Sequence, residues 1–413
     1  MKIGYSQENE KLVSFTLIRY YTAYEISSHE GKGASFTGVF FGVLMQLTNT
    51  QFIFFIMLMP CITSTFFVYL MILFSKRHNL YDGVGGRKIH SGNISRLGGV
   101  GFFSAFVLSF LVIYFRFPQV FVIDSAFLSV VTGSSLIFLM GFMDDLKTWK
   151  AAPKLAVQLI AAVFVVYKGF RFIRISFAPI GLFLPLGIFA YPITVLWIIG
   201  VINAVNLMDG IDGQVGCLSA SLFISYVILF LNDSPPNFSM IYICVMLTCT
   251  IIGFLFFNLA RPKAKVFMGD GGSQFLGFVL ALLPLIPKRI GYETAAIPFA
   301  ALFLMLPIFD MIAAIWRRIR DKKPIREGDK LHLHHKLILI GYSPRGALTA
   351  FMILQIIVDL FVTLAVLLQG VMALATLLGL LLVGILFFTL IHFEKENHLA
   401  RSGTNNKEIP INP

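Results

Sequence analysis

Short polar connections break the sequence into apolar runs of roughly 20 residues, the length of helix that crosses the hydrocarbon core of a bilayer. Eleven runs can be drawn, approximately 52–74, 97–115, 126–141, 155–167, 186–201, 215–231, 240–257, 275–286, 294–316, 347–368 and 371–393. The third, fourth and eighth are short for a span, so the count is bracketed at about 10 to 12. Apolar residues make up 57% of the 413 and charged residues 13%, which excludes a soluble domain of this size. The fold expected is an all-α polytopic membrane protein, with a Pro/Gly-rich hairpin or loop at 170–186.

Lys and Arg number 33 against 21 acidic residues, a formal charge of +12 that in a soluble protein would suggest nucleic acid. Topology accounts for it better, and no nucleic-acid partner is expected. With the first run directed inward, the connections after odd-numbered runs and the tail hold 23 of these cations, those after even-numbered runs 6, and residues 1–51 hold 4. The positive-inside rule then places the odd connections and the C-terminus in the cytoplasm and the N-terminus outside. Residues 35–47 are apolar but short, an interfacial helix or an extra span that would reverse the N-terminus alone. No cleavable signal peptide is expected in the polar, mixed residues 1–35. Cys61, Cys217, Cys244 and Cys249 show no CxxC spacing and read as small apolar residues.

Ionisable side chains are costly in lipid, so those beside the runs carry a functional expectation by default. Asp144 and Asp145 follow the third run, Asp209 and Asp212 the fifth, Asp270 the seventh, and His332, His334 and His335 the ninth. Four separate connections thus bring carboxylates or imidazoles to the cation-rich face. In GFMDDLKTWKAAPKLAVQ the paired acids are either site groups or interfacial caps beside Lys147, Lys150 and Lys154. In NAVNLMDGIDGQVG, Asp209 and Asp212 would share a face if helical, and with Asn203 and Asn206 they form an oxygen-rich set suited to a hard divalent cation. The alternative is an ordinary polar turn. Asp270 sits among glycines ahead of a run in FMGDGGSQF, where free N–H groups at a helix start can face phosphate, although the Lys-Ser/Thr ending of a Walker A loop is missing. The histidines of DKLHLHH favour phosphate or substrate over zinc, because His334 is not expected to share a helix face with His332. Asp310, deep in the ninth run, either shapes the site or pairs with Arg317 or Arg318, and pairing is the expectation.

Together and in order, DGVGGRKIHSGNISRLGGV, the Asp-Asp pair with Lys154 and Gln158, NxxNxxDGIDG, FMGDxGS, PIFD and DKLHLHH resemble the polyprenyl-phosphate N-acetylhexosamine-1-phosphate transferase superfamily, whose members start lipid-linked synthesis of cell-surface glycans. The resemblance covers roughly residues 69–343. Arg96-Leu97-Gly98-Gly99 and His332-Leu333-His334-His335 look like the branch that uses UDP-GlcNAc and related donors. The phospho-MurNAc-pentapeptide branch usually shows three consecutive histidines and Thr-Met-Gly-Gly instead. Gln214, where the family usually has Leu, the pair Asn93 and Ile94, and residues 1–51 depart from the pattern.

The resemblance implies a Mg2+-dependent transferase, with Mn2+ as a substitute, that moves N-acetylhexosamine 1-phosphate from a UDP-sugar to polyprenyl (undecaprenyl) phosphate and releases UMP. GlcNAc is the sugar expected, and the bacterial cytoplasmic membrane the location. It also implies residue roles: Asp144, Asp145, Asp209 and Asp212 as catalytic acids, and Asp270 with Asp209 and Asp212 as metal ligands. Lys154, Asn203, Asn206, His332, His334, His335 and Asp82 would bind substrate. Residues 1–51 form an extension, 52–393 the transmembrane catalytic domain and 394–413 a polar cytoplasmic tail, and a homodimer is left open. A phosphate monoester has a second pKa of about 6, so the attacking lipid phosphate is already mostly dianionic at neutral pH. The acids are therefore expected mainly to organise metal and diphosphate, with Asp144 the candidate for any proton transfer or for a covalent route. Two rivals stand beside this reading, a phospho-MurNAc-pentapeptide transferase and a multi-pass transporter. A transporter would place its ionisable groups near the bilayer midplane in repeated halves, and the sequence shows no such repeat.

Overall fold

The structure is a computed structural model that describes residues 52–402 apart from 53, 82–93, 119, 178–180, 234, 287–296, 325–331 and 369. The N-terminal extension, Asp82 and the last residues of the tail lie outside the described residues. Helices dominate: α1 (Phe54–His78), α2 (Gly98–Arg116), α3 (Ser125–Leu146), α4 (Ala151–Tyr167), α5 (Ala190–Leu207), α6 (Gln214–Leu231) and α7 (Phe238–Asn258). They continue with α8 (Gly269–Leu282), α9 (Ile297–Phe303), α10 (Met305–Arg320), α11 (Leu333–Leu339), α12 (Pro344–Leu368) and α13 (Gly370–Ser402). An antiparallel hairpin, β1 (Arg174–Phe177) and β2 (Leu182–Pro185), joins α4 to α5 where a hairpin or loop was expected.

The chain is an all-α polytopic membrane protein. Each of the eleven apolar runs has a helical counterpart, and among the described residues eight helices are long and apolar enough to cross a bilayer, or nine if the bent pair α9 and α10 is one span. The three that stand apart have physical reasons. Helix α4 holds 17 residues. Helix α8 holds 14, and every one except Asp270 and Val279 is buried, so it serves as the central post of the bundle, enclosed by α2, α3 and α5. Helices α9 and α10 diverge by 87° at Leu304, where Gln355 of α12 donates to the freed carbonyl of Phe303 at 3.2 Å.

Local chemistry sets the helix ends. Asp124 starts α3 by accepting from the N–H of Phe127 at 2.7 Å, Asn237 starts α7 by accepting from Met240 at 3.3 Å, and α1 stops at Asn79 in a left-handed conformation. Two boundaries differ from the sequence expectation in a way that matters. Helix α3 runs on to Leu146, so Asp144 and Asp145 occupy its last turn, and α8 begins at Gly269, so Asp270 lies in its first turn.

The start of α2 is stitched to the segment that leads into α8. Ser95 and Val266 form a parallel bridge, Phe267 donates to the Ser95 carbonyl at 2.7 Å, and Gly98 and Gly99 donate to the carbonyls of Phe267 and Met268 at 3.0 and 2.8 Å. A β-carbon on Gly99 would lie 2.5 Å from the backbone nitrogen of Gly272, so this crossing is made backbone against backbone. The Arg-Leu-Gly-Gly motif therefore has a mechanical role, since it locks α2 to the helix that presents Asp270.

Candidate active site

Asp270 is the meeting point. Its Oδ2 accepts from Lys154 Nζ of α4 at 3.0 Å and from Gln274 Nε2 at 3.4 Å, while its Oδ1 accepts from Asn206 Nδ2 of α5 at 3.3 Å. Lys154 also donates to Asp144 Oδ2, and the other oxygen of Asp144 accepts from the N–H of Trp149 at 2.5 Å. One ammonium thus bridges two carboxylates from different helices. Adjacent Asp145 points elsewhere. Its two oxygens accept from the N–H groups of Asp270 at 2.8 Å and Gly271 at 3.0 Å, satisfying two of the orphan donors at the start of α8. The two acids thus divide, Asp144 bonding into the cluster around Lys154 and Asp145 capping a helix distant in sequence.

Asn203 and Asn206, one helical turn apart on α5, divide in the same manner. Asn206 reaches Asp270 and also donates to Ser273 Oγ at 2.8 Å. Asn203 instead donates to Gln158 Oε1 at 2.8 Å, and Gln158 donates to Gln274 Oε1 at 2.8 Å, so it supports the site through a buried amide chain. Gln274 and Ser273 went unrecognised in the sequence, although they lie one turn beyond Asp270 and Gly269 on α8. So did Asn258, the last residue of α7. Its side chain accepts from the N–H of Gly213 at 2.6 Å and donates to the Val266 carbonyl at 2.8 Å, tying the Asp-Gly loop to the segment before Asp270.

Asp209 and Asp212 lie in the turn between α5 and α6, so the shared helical face considered for them does not form. They are nevertheless close to each other and to Asp270. The carboxyl of Asp209 is raised to about 7, by loss of solvent in the cleft and by the like charges of Asp270 and Asp212, with Arg96 opposing. Its surface stays open to water, so the neighbouring negative charge is the more durable cause.

The histidines close the other side of that turn. His334 is buried with its imidazole against Gly210, where a β-carbon would collide with the ring, and neither ring nitrogen bonds to the protein. Burial, then the proximity of His335 and His332, lowers its pKa to about 3 against the pull of Asp310, which keeps it neutral at physiological pH. The ring lies 4.2 Å from that of His335 and stacks at 6.0 Å on that of His332. His332 and His334 were not expected to face together. They do because His332 precedes α11 in an extended conformation instead of belonging to the helix. Asp310 also differs from expectation, since its hydrogen bonds run to His332 Nδ1 at 2.7 Å and to the N–H of Leu333 at 2.9 Å, fixing both the ring and the start of α11.

Residues 127–288 match the model of glycosyl transferase family 4. The chain is 33% identical over 266 residues, 64% of its length and 71% of the relative, to a protein of Bacillus subtilis (strain 168) named as a probable undecaprenyl-phosphate N-acetylglucosaminyl 1-phosphate transferase. It is 29% identical over 274 residues, 65% of this chain and 72% of the relative, to the undecaprenyl-phosphate alpha-N-acetylglucosaminyl 1-phosphate transferase of Yersinia pestis. Identity to the protein of that name from Escherichia coli (strain K12) is 27% over 292 residues, 69% and 76% of the two chains.

Proposed function

The chain belongs to glycosyl transferase family 4, and from that membership we propose that it transfers N-acetylglucosamine 1-phosphate from UDP-GlcNAc to undecaprenyl phosphate, releasing UMP. The observation that carries the assignment of the site is the convergence on Asp270 of Lys154 and Asn206 from two other helices, beside the Asp209 turn and the histidines. A transporter reading gains nothing from this arrangement, because the groups gather at helix ends and not within repeated halves. The cation excess on the same connections supports a cytoplasmic site in the inner membrane.

The carboxylates gathered around Asp270 are the hard oxygen donors a divalent cation takes, while Asn206 and Gln274 turn their amide N–H groups to Asp270 and hold it in place. Among the described residues no three His, Cys, Asp or Glu side chains converge as a metal cage of their own. That suits Mg2+, which keeps several waters and takes one or two carboxylates together with substrate phosphates. Asp270 would hold it, with Asp209 or Asp212 as a second carboxylate or through water, and there it would supply charge neutralisation for the diphosphate.

Phosphoryl transfer asks the protein mainly for positioning. An oxygen of the lipid phosphate attacks the sugar-bearing phosphorus, the bond from that phosphorus to the bridging oxygen breaks, and UMP departs with the electron pair. Lys154, already poised between Asp144 and Asp270, can turn its ammonium to the incoming phosphate oxygens. Asp144 spends both oxygens on Lys154 and Trp149, which favours a positioning role over nucleophilic attack. Neutral His334 offers a ring N–H beside the Asp-Gly turn, and His332 and His335 flank it.

The test is purified protein given UDP-GlcNAc, UDP-GalNAc or UDP-MurNAc-pentapeptide with undecaprenyl phosphate and Mg2+, scored by UMP release. UDP-GlcNAc is expected to be the preferred donor and Asp270→Asn to be inactive. Absence of UMP release with every donor would overturn the proposal. Exchange of labelled UMP into the donor without lipid acceptor would instead establish a covalent route.

A further inference from the structure

Helix α10 is built unlike the spans around it. It meets α9 at 87°, so the two cannot both follow the bilayer normal, and α10 packs with one face against α5. On its other face Phe309, Ile312, Trp316 and Ile319 recur at helical spacing and are each half exposed or more. Such a stripe is unfavourable in water and ordinary at the boundary between headgroups and acyl chains. The last turn of α10 carries Arg317, Arg318 and Arg320, and Lys322 and Lys323 follow the helix, five cations against the single acid Asp321. Apolar stripe and basic end together complement an anionic leaflet. The buried face carries Asp310, which holds His332 and Leu333 at 2.7 and 2.9 Å.

We propose that α10 docks on anionic phospholipid headgroups and that this contact sets the position of His332 through Asp310, so that the lipid surface tunes the active site. The occupant is the lipid surface and not a second protein, because the cations follow directly on an exposed apolar stripe carried by a bundle of bilayer-spanning helices. The activity consequence rests on the function proposed above, whereas the docking does not.

The experiment places the full chain in nanodiscs of phosphatidylcholine alone or mixed with phosphatidylglycerol, at a fixed fraction of undecaprenyl phosphate. Each basic side chain beside an anionic leaflet contributes roughly a fivefold preference for it. UMP release is therefore expected to rise severalfold with phosphatidylglycerol, and the combined variant Arg320→Gln, Lys322→Gln and Lys323→Gln to keep the phosphatidylcholine rate while losing that rise. Docking is read separately from Trp316, as the fluorescence difference between wild type and Trp316→Phe. Lipids brominated on the acyl chain should quench it, more strongly when phosphatidylglycerol is present. An equal phosphatidylglycerol response in wild type and the combined variant, or Trp316 fluorescence indifferent to brominated lipid, would overturn the proposal. Quenching that depends on phosphatidylglycerol in protein that turns over no donor would retain the docking and remove the proposed function instead.

Discussion

The carboxylate of Asp145 caps the helix that carries Asp270, accepting from the N–H of Asp270 at 2.8 Å and of Gly271 at 3.0 Å. A residue at the end of one helix thereby fixes the height and rotation of the acid that begins another. A carboxyl at a helix start gains by accepting from N–H groups that have no partner within the helix. Asp145→Asn keeps the shape but turns one acceptor into a donor that meets an N–H head on. It should cost about 1–3 kcal/mol of stability and, because a misplacement of about 1 Å can cost roughly a hundredfold in rate, lower UMP release by about that factor. Thermal melting and turnover measured on the same preparation check this, and a near-normal rate would show that Asp270 does not depend on its cap.

The negative charge crowded around Asp209 makes stability, and the metal binding proposed above, depend on pH. Its carboxyl is raised from 3.8 to about 7, so the folded state holds this proton more tightly than the unfolded chain does. Its contribution to stability is therefore complete below about pH 4 and is lost as pH rises toward 7. Water access to the side chain moves the midpoint toward the lower end of that window. A divalent cation favours the ionised form, so the rise in Tm on adding Mg2+ should grow across the same interval. Asp209→Asn should flatten both trends, which melting curves from pH 4 to 8, with Mg2+ and with EDTA, will measure.

Much of this architecture was readable before the structure, and the exceptions share a cause. Apolar run length marked a helix for each of the eleven runs, because lipid imposes that length residue by residue, and missed the short α11. The polar motifs marked the segments that meet at Asp270, since most ionisable groups stand at the margins of runs, Asp310 being an exception. What the sequence hid is pairing between distant segments. Asp144 and Asp145 are equivalent by type and position, and their division into site group and cap depends on where α8 begins, more than 120 residues on. The bonds of Asp310 were misjudged because Arg317 and Arg318 are near in sequence, whereas His332 is near only after the chain leaves α10 and returns. Asn258 gave no signal at all, being a lone amide at the end of an apolar run.

Two glycines should respond to alanine in opposite ways. At Gly99 the added methyl meets the backbone of Gly272 and the Met268 carbonyl, neither of which can move without parting α2 from α8. Gly99→Ala should therefore destabilise the fold by about 1–3 kcal/mol, in the manner of an overpacked core. At Gly210 the methyl meets the imidazole of His334, a side chain that can rotate away. Gly210→Ala should leave Tm nearly unchanged while lowering kcat/KM about tenfold or more, the low end of what displacing one positioned group costs. Melting and turnover of the pair separate the two outcomes, and a large loss of Tm in Gly210→Ala would mean that His334 is a packing residue.

Asp310 is expected to act through His332 alone. Its Oδ1 serves the N–H of Leu333 and its Oδ2 receives the Nδ1 proton of His332, leaving Nε2 as the nitrogen free to meet substrate. Asparagine at 310 can still accept from Leu333, but its amide NH2 would then face Nδ1 and select the opposite tautomer. Supporting groups of this kind typically cost 10- to 100-fold when altered, and Asp310→Asn should lose about that much in kcat/KM for the donor while its fold persists. The double variant with His332→Gln decides whether the effect is transmitted. If Asp310 does nothing but orient that ring, the double variant will be no slower than His332→Gln, and the cycle will return a coupling of about 1–3 kcal/mol. Losses that multiply would place the action of Asp310 elsewhere, in the start of α11 and the placement of His334.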